Sequence, residues 1–108
     1  MVERVPLSSV FCFRITQGDT HVDIVPFGAS IRSIVVPDRS GVLRDVCLGY
    51  EGVMDYAAQG GCLGSVVGRY ANRIAGASFA LNGQSYGLLA NEGPNTLHGG
   101  GYGWHKRW

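Results

Sequence analysis

The pair Asn82-Gly83 stands between two runs in which apolar and polar residues alternate. Few short patterns restrict a backbone as strongly, because Asn and Gly both accept the positive φ that a two-residue β-hairpin turn requires. Such a turn places Phe79 opposite Tyr86 and Ala77 opposite Leu88, so these side chains share one face. We therefore predict a rigid β-hairpin that holds the loops at its two ends at a fixed separation.

Glycine is unusually abundant, with 17 of 108 residues, whereas the 45% hydrophobic and 16% charged shares are ordinary for a globular protein. The glycines follow no fixed period, so they indicate many tight turns between short strands rather than collagen or a flexible linker. There is no internal repeat and no domain linker. We expect an all-β chain.

Charge and hydropathy argue against two classes of partner. The formal net charge is +1 and the Lys and Arg residues are scattered, so there is no basic stripe for nucleic acid. No apolar run reaches membrane-spanning length, and residues 1–7 lack the apolar core of a signal peptide. We expect a cytoplasmic protein that binds neither nucleic acid nor a membrane.

Three cysteines, Cys12, Cys47 and Cys62, form an odd set without a Cys-x-x-Cys spacing. This pattern argues against a disulfide framework and against a zinc ribbon. His98 and His105 also match no zinc-ligand spacing, so we predict no metal site. We expect the three thiols to be buried and reduced.

Alternation of apolar and polar residues predicts strands in the first half of the chain. Residues 11–16 and 20–25 alternate on either side of a turn, which indicates a second hairpin. Residues 28–36 and 45–50 are interpreted as a third and a fourth strand. In the third, a period of two puts Ile31 and Val35 on one face and other apolar residues, Ile34 and Val36, on the opposite face, as is typical of a strand covered on both sides.

The middle of the chain carries a weaker signal. Residues 51–59 lose β-branched character, which predicts one or two helical turns that stop at Gly60-Gly61. Residues 62–74 favour neither a strand nor a helical turn, and their structure stays open.

Two polar clusters flank the Asn-Gly hairpin: Asn72-Arg73 before it and residues 97–100 after it. From the residues alone, Arg73 is best interpreted as a surface arginine whose charged end reaches water. His98 fits a loop histidine bonded to a carbonyl as well as a functional group that its glycine neighbours leave accessible. Because the hairpin between them is rigid, we expect Arg73 and His98 to meet.

The order of the motifs resembles the aldose 1-epimerase family, also called galactose mutarotases. The similar residues begin at about Ile24 and extend over most of the chain. They comprise Gly28-Ala29-Ser30-Ile31, residues 36–41 and 45–50, Tyr56, Gly68-Arg69-Tyr70-Ala71-Asn72-Arg73-Ile74, the hairpin, Asn91, Asn95-Thr96-Leu97-His98-Gly99-Gly100 and residues 103–108.

The resemblance implies a galactose mutarotase-like β-sandwich, or supersandwich, with residues 1–108 as the N-terminal part of a single domain. It places Arg73 on the family's sugar-binding arginine, Asn72 beside it and His98 on the first of two active-site histidines. An arginine fork suits vicinal sugar hydroxyls, and a histidine can donate or accept near neutral pH. The implied partner is a small hexose, and no cofactor is needed.

The implied activity interconverts the α and β anomers of hexoses such as galactose or glucose. A base takes the proton of the anomeric hydroxyl while an acid protonates the ring oxygen; the ring opens, the C1–C2 bond rotates, and the ring closes on the other face. In the family these groups are a glutamate and a second histidine, and no residue up to Trp108 matches either. We assign only the substrate-holding half of the site, Asn72, Arg73 and His98, to this chain.

We therefore expect residues 1–108 alone neither to catalyse mutarotation nor to fold stably. A partial sandwich leaves an open sheet edge, with apolar side chains such as Ile31, Val35 and Val67 partly exposed. Two alternatives stay open: a non-catalytic carbohydrate-binding module of the same fold, and a hexose-phosphate epimerase relative with added cationic residues for the phosphate.

Overall fold

A computed structural model describes residues 1–7, 10–58 and 61–107. The chain forms two compact units, a first unit of residues 1–66 and a second unit of residues 67–107. Each is built mainly from strands and turns, so the predicted all-β fold class is confirmed. That the whole chain is part of one truncated domain stays a prediction.

The first unit contains a five-stranded antiparallel sheet in which each strand pairs with its neighbours along the chain. The predicted hairpin of the second and third strands is confirmed. The first strand was not predicted, because charged residues and Pro6 obscure its alternation. The strands are β1 (Val2–Leu7), β2 (Val10–Gln17), β3 (Thr20–Val25), β4 (Ser30–Pro37) and β5 (Leu43–Asp45).

A bulge in β4 determines which side chains share a face. Ile31 lies opposite Ile24 and Ile34 lies opposite Val22, so both β4 side chains leave the sheet on the same side. The register shifts between these two pairs, where one extra β4 residue is inserted. The prediction that Ile31 shares a face with Val35 is wrong, because a strict period of two takes no account of a bulge.

The strand predicted over residues 45–50 is also wrong, since β5 ends at Asp45. The Asp45 carboxylate gives the reason: its Oδ1 accepts the N–H of Ile34 at 3.1 Å and the N–H of Cys47 at 3.0 Å. The side chain thus satisfies a β4 donor that a longer β5 would bond. The chain turns away from the sheet after Asp45.

The core of the first unit lies on one face of this sheet. Cys12 of β2 and Val25 of β3 are fully buried, and Val53 and Tyr56 pack against them. The Tyr56 hydroxyl accepts the N–H of Tyr50 at 3.0 Å, which satisfies the buried polar end of the side chain.

The segment that supplies Val53 and Tyr56 includes the helix α1, Asp55–Ala58. The helical turn predicted within residues 51–59 is confirmed over that range. The predicted stop at Gly60 lies outside the described residues.

A buried carboxylate accompanies the apolar core. Asp23 is 1% exposed and accepts hydrogen bonds from Arg14, whose Nε and Nη2 lie 2.7 and 2.8 Å from its two oxygens. Arg32 adds a longer contact at 3.5 Å. The hydrogen bonds from Arg14 lower the pKa of Asp23, against the opposing effect of burial. Asp23 is therefore a buried charge that is held by paired cations.

The second unit contains two short antiparallel ladders. The predicted hairpin is confirmed: Phe79 lies opposite Tyr86 with ring centroids 5.1 Å apart, and the turn residues Asn82 and Gly83 have φ of 53° and 77°. The sequence left the structure of residues 62–74 open. Among the described residues of that range there is one strand, Arg73–Ile74, and it belongs to the second ladder. The strands are β6 (Arg73–Ile74), β7 (Ser78–Leu81), β8 (Gln84–Gly87) and β9 (Thr96–Leu97), and β6 pairs with β9.

The observed exposure agrees with the expected partial exposure of three apolar residues, but not with the expected burial of the three thiols. Ile31, Val35 and Val67 are each partly exposed. All three cysteines are unpaired, but Cys12 alone is buried and Cys62 is exposed, so the prediction of three buried thiols is wrong. No helix in the described ranges has the length and apolar character needed to cross a membrane.

Candidate functional site

The second unit places Asn72 and His98 side by side. β6 and β9 run antiparallel, with Arg73 opposite Leu97. Asn72 directly precedes β6 and His98 directly follows β9, so antiparallel pairing brings both residues to the same end of the ladder. Two residues that are 26 positions apart thereby become neighbours.

Two hydrogen bonds join this pair. The backbone N–H of His98 donates to the carbonyl of Asn72 at 3.1 Å, and the backbone N–H of Asn72 donates to Nδ1 of His98 at 3.0 Å. Because a backbone N–H can only donate, Nδ1 is an acceptor, and the neutral ring carries its proton on Nε2. The local structure therefore presents His98 as an Nε2–H donor.

Both residues also have an unusual backbone conformation. The φ angles of Asn72 and His98 are 61° and 53°, in the left-handed region that non-glycine residues seldom adopt. The two hydrogen bonds hold this geometry in place. Such local strain occurs preferentially at functional positions, which favours a functional role for the pair.

Arg73 makes an ion pair with Glu92. Its Nε and Nη2 each donate to one oxygen of that carboxylate, and its Nη1 lies 3.4 Å from Oδ1 of Asn72. The hydrogen bond from Arg73 lowers the pKa of Glu92. Both side chains are substantially exposed, so solvent screens their attraction. A ligand hydroxyl at Arg73 would share the guanidinium with Glu92.

The side chain of Asn91 fixes the position of β9. Its Nδ2 donates to the carbonyl of Leu97 at 3.0 Å, and its Oδ1 accepts the N–H of Leu97 at 2.7 Å. The amide thus imitates a neighbouring strand along the residue that precedes His98. Thr96 is fully buried and donates its hydroxyl proton to the carbonyl of Leu89 at 2.5 Å, which holds the other residue of β9.

A second histidine lies near His98. The ring centroids of His98 and His105 are 6.0 Å apart, with the planes at 74°. His105 is buried, its Nδ1 has no hydrogen-bond partner among the described residues, and burial lowers the pKa of its imidazole. Burial thus favours a neutral ring at this position.

An open cavity of about 350 Å³ lies beside this histidine pair, within the second unit. Its walls are the side chains of two arginines and three aromatic residues, together with two glycines. Neither Arg73 nor His98 lines it. The lining side chains are Arg69, Tyr70, Tyr102, Trp104 and Arg107.

The three predicted site residues therefore lie together at one end of the β6–β9 ladder. Asn72 and His98 bond each other directly, and Arg73 is the next residue along β6. That they hold a sugar, and that Arg73 and His98 line a common concave surface, stay predictions. Among the described residues, no three His, Cys, Asp or Glu side chains come together in a way that would hold a metal ion.

Comparison with known proteins identifies the family. The family model for aldose 1-epimerase matches residues 12–108. The chain belongs to the aldose 1-epimerase family. Among curated aldose 1-epimerase relatives, it is 43% identical over 94 residues to galactose mutarotase of Sus scrofa and 37% identical over 86 residues to aldose 1-epimerase of Escherichia coli.

Solved structures of aldose epimerases agree in fold. The chain superposes on an aldose epimerase homologue from C. elegans with a TM-score of 0.76 and 27% identity. It matches galactose 1-epimerase from Lactobacillus acidophilus with a TM-score of 0.74 and 21% identity, a likeness that concerns the fold alone. The predicted galactose mutarotase-like fold is thereby confirmed.

The aldose 1-epimerase relatives are much longer than this chain. The matched residues are 87% of this chain but 28% of the Sus scrofa protein, and 80% of this chain but 25% of the E. coli protein. The C. elegans structure is covered over 31% of its length.

Three features of the site did not follow from the sequence. The sequence does not indicate Glu92 as the partner of Arg73, because 19 positions and the whole hairpin separate the two residues. Asn91 was noted without a role, although a side-chain amide before a short strand is a recognisable bridging signal. His105 gave no signal at all, because its neighbours in sequence do not reveal that it is buried.

Proposed function

We propose that this chain holds the hexose in an aldose 1-epimerase site, in the cytoplasm, and that the complete site interconverts α and β anomers of a sugar such as galactose or glucose. Membership of the aldose 1-epimerase family supports the reaction class. The relatives named galactose mutarotase support a hexose as the substrate.

The observation that carries this proposal is the bond from the Asn72 N–H to Nδ1 of His98. It leaves Nε2–H as the donor, so His98 can hydrogen-bond to a ring or hydroxyl oxygen of the sugar without first changing tautomer. A donor in a fixed orientation helps most if charge develops on the oxygen that it contacts, as happens when the sugar ring opens.

Arg73 would hold sugar hydroxyls as a permanently charged donor that does not exchange protons. The Nη1 group is the part of its guanidinium that Glu92 leaves free, apart from the long contact with Asn72. Asn72 adds a carboxamide whose Oδ1 lies 3.4 Å from Nη1 of Arg73. Proton removal from the anomeric hydroxyl needs a carboxylate base, and Glu92 is engaged by Arg73.

The experiment uses a hybrid protein in which residues 1–108 replace the segment that they match in the Sus scrofa galactose mutarotase. Polarimetry on fresh α-galactose then compares Arg73→Ala, His98→Ala and the unsubstituted hybrid. We expect Arg73→Ala to raise KM with little change in kcat, and His98→Ala to lower kcat by about a hundredfold.

Unchanged kinetics in both variants would rule out these roles. Arg39→Ala, an exposed arginine in the turn before β5, is the matched control and should leave both constants unaltered. A hybrid that binds galactose but does not turn it over, even before substitution, would favour the alternative of a carbohydrate-binding module.

A further inference from the structure

Two of the residues that line the cavity of the second unit are glycines in close contact with their neighbours, Gly68 and Gly99. The Trp104 N–H donates to the Gly68 carbonyl at 3.0 Å, and a Cβ on Gly68 would lie 2.5 Å from Cε3 of the Trp104 ring. A Cβ on Gly99 would lie 2.3 Å from the Gly68 carbonyl oxygen. Only glycine fits at either position, so the indole and the 99–103 loop pack directly on backbone. The cavity is part of the folded structure rather than a chance gap between side chains.

Two arginines in the lining have no carboxylate partner within residues 1–7, 10–58 and 61–107. The Nε of Arg107 donates to the carbonyl of Tyr102 at 3.2 Å, which orients its guanidinium. Arg69 is exposed and makes no hydrogen bond or ion pair with any residue that the structure describes. Arg73 differs, because Glu92 neutralises it. Three cations of the second unit thus lack a carboxylate partner among the described residues, and two of them, Arg69 and Arg107, line the cavity.

The sequence of the second unit offers no other acid. Residues 67–107 contain one carboxylate, which is the Glu92 already paired with Arg73. Two arginines that line one cavity repel each other unless an anion lies between them. Their planar forks match the geometry of phosphate and carboxylate oxygens.

The rest of the lining is aromatic and accessible. Trp104 is 50% exposed and Tyr102 is 75% exposed, so two large rings present apolar surface to the cavity mouth. A volume of about 350 Å³ falls in the range of small-molecule sites. A mixture of flat apolar surface and two cations suits a compact molecule with an apolar face and one anionic group.

We propose that this cavity binds an oxyanion, phosphate or carboxylate, on a sugar-sized molecule whose apolar face lies on Trp104. Arg69 and Arg107 provide the donors to the anionic group. This site is separate from the hexose site proposed above, since neither Arg73 nor His98 lines the cavity. It requires no turnover, so its test does not depend on mutarotase activity.

The test is an NMR titration of the ¹⁵N-labelled 108-residue chain at low ionic strength with four probes: glucose 6-phosphate, glucuronate, inorganic phosphate and glucose. We expect saturable shifts of the Trp104 indole N–H with the first two probes and none with glucose. The ratio of the glucose 6-phosphate and glucuronate affinities identifies which oxyanion the site prefers. Inorganic phosphate should bind more weakly than glucose 6-phosphate, since it makes no contact with the indole.

Substitutions locate the site. Arg69→Ala and Arg107→Ala should each weaken the preferred probe about tenfold, because each removes charge-assisted hydrogen bonds. Lys106→Ala is the matched control: it removes one positive charge next to Arg107 but not from the lining, and should change affinity less than about twofold. Trp104→Ala should weaken glucose 6-phosphate and leave inorganic phosphate unaffected.

Equal losses in Lys106→Ala and the two arginine variants would mean diffuse charge attraction and would overturn the proposal. A Trp104 indole N–H that shifts with glucose as strongly as with glucose 6-phosphate would overturn it as well. If the 108-residue chain gives a poorly dispersed spectrum, the Trp104 indole N–H is followed with the same probes and variants on the ¹⁵N-labelled hybrid protein, with the same two outcomes deciding.

Discussion

The charge state of Asp23 is the clearest single-residue determinant of stability in the first unit. A buried carboxylate is tolerated only when cations and hydrogen bonds compensate for lost hydration, and Arg14 supplies both across the β2–β3 ladder. Asp23 and Arg14 are a directly opposed pair in the register, so the sheet itself sets their distance.

Asp23→Asn should therefore lower the free energy of unfolding by about 2 kcal/mol at pH 7, because Arg14 and Arg32 lose the charge that compensates them. The folded-state pKa of Asp23 lies below its ordinary value of 3.8. Its stabilisation is thus present above pH 3.8 and is lost as pH falls through the lower folded pKa. Urea unfolding of the hybrid protein between pH 7 and pH 2.5 measures both effects.

Asp19→Asn, in the exposed turn between β2 and β3, is the control and should change stability by less than about 0.5 kcal/mol. If the Asp23→Asn variant loses stability with acid as steeply as the parent does, another carboxylate causes the acid sensitivity.

At the scale of elements, two glycines of the β7–β8 hairpin distinguish the conformational cost of adding a side chain from its steric cost. Gly83 has a φ of 77° and a Cβ there would meet nothing within 4 Å, whereas Gly87 in β8 has open space and no positive φ. Any cost of a side chain at Gly83 therefore comes from backbone conformation alone.

Gly83→Val should destabilise by about 1 kcal/mol or more, and Gly83→Ala by about 1 kcal/mol, since both force a side chain into the left-handed region. Gly87→Ala should be neutral or slightly stabilising, because it reduces the entropy of the unfolded chain at no steric cost. Thermal unfolding of the three variants gives the comparison. Equal effects at both glycines would show that the turn geometry is not what stabilises the hairpin.

The same elements explain how much the sequence could predict. The Asn82-Gly83 hairpin and the β2–β3 hairpin were found because their signals are local: turn residues between alternating runs. The end of β5 and the bulge in β4 were missed, since each depends on a contact with another strand. For β5 that contact is the Asp45 carboxylate on the N–H of Ile34.

The candidate site likewise has some features that the sequence indicated and others that depend on distant contacts. The resemblance to a family indicated Asn72, Arg73 and His98, and the structure places Asn72 against His98. The ion pair of Arg73 with Glu92 and the burial of His105 depend on how the 89–107 loops fold back. No local pattern in those glycine-rich segments encodes such contacts.

For the molecule as a whole, activity of the 108 residues alone depends on whether they contain both the acid and the base that mutarotation requires. The second unit offers His98 as a donor but no free carboxylate, because Glu92 is paired with Arg73. Ring opening requires a base as well as an acid.

We expect purified residues 1–108 to leave the mutarotation of α-glucose at the buffer rate, whereas the hybrid protein accelerates it. Polarimetry at equal molar concentrations makes the comparison, and a mixed sample checks that the 108-residue chain is not an inhibitor. A clear acceleration by the 108-residue chain would place a base within it that the structure does not suggest.

Because the thiols differ in burial, their rates of chemical modification report local opening of the structure. Cys12 is fully buried and burial raises its pKa, while Cys62 is exposed. A maleimide dye should couple first to the exposed Cys62 and more slowly to the half-buried Cys47. Modification of Cys12 requires a local opening of the core that Val25, Val53 and Tyr56 form around it, so its rate measures the free energy of that opening.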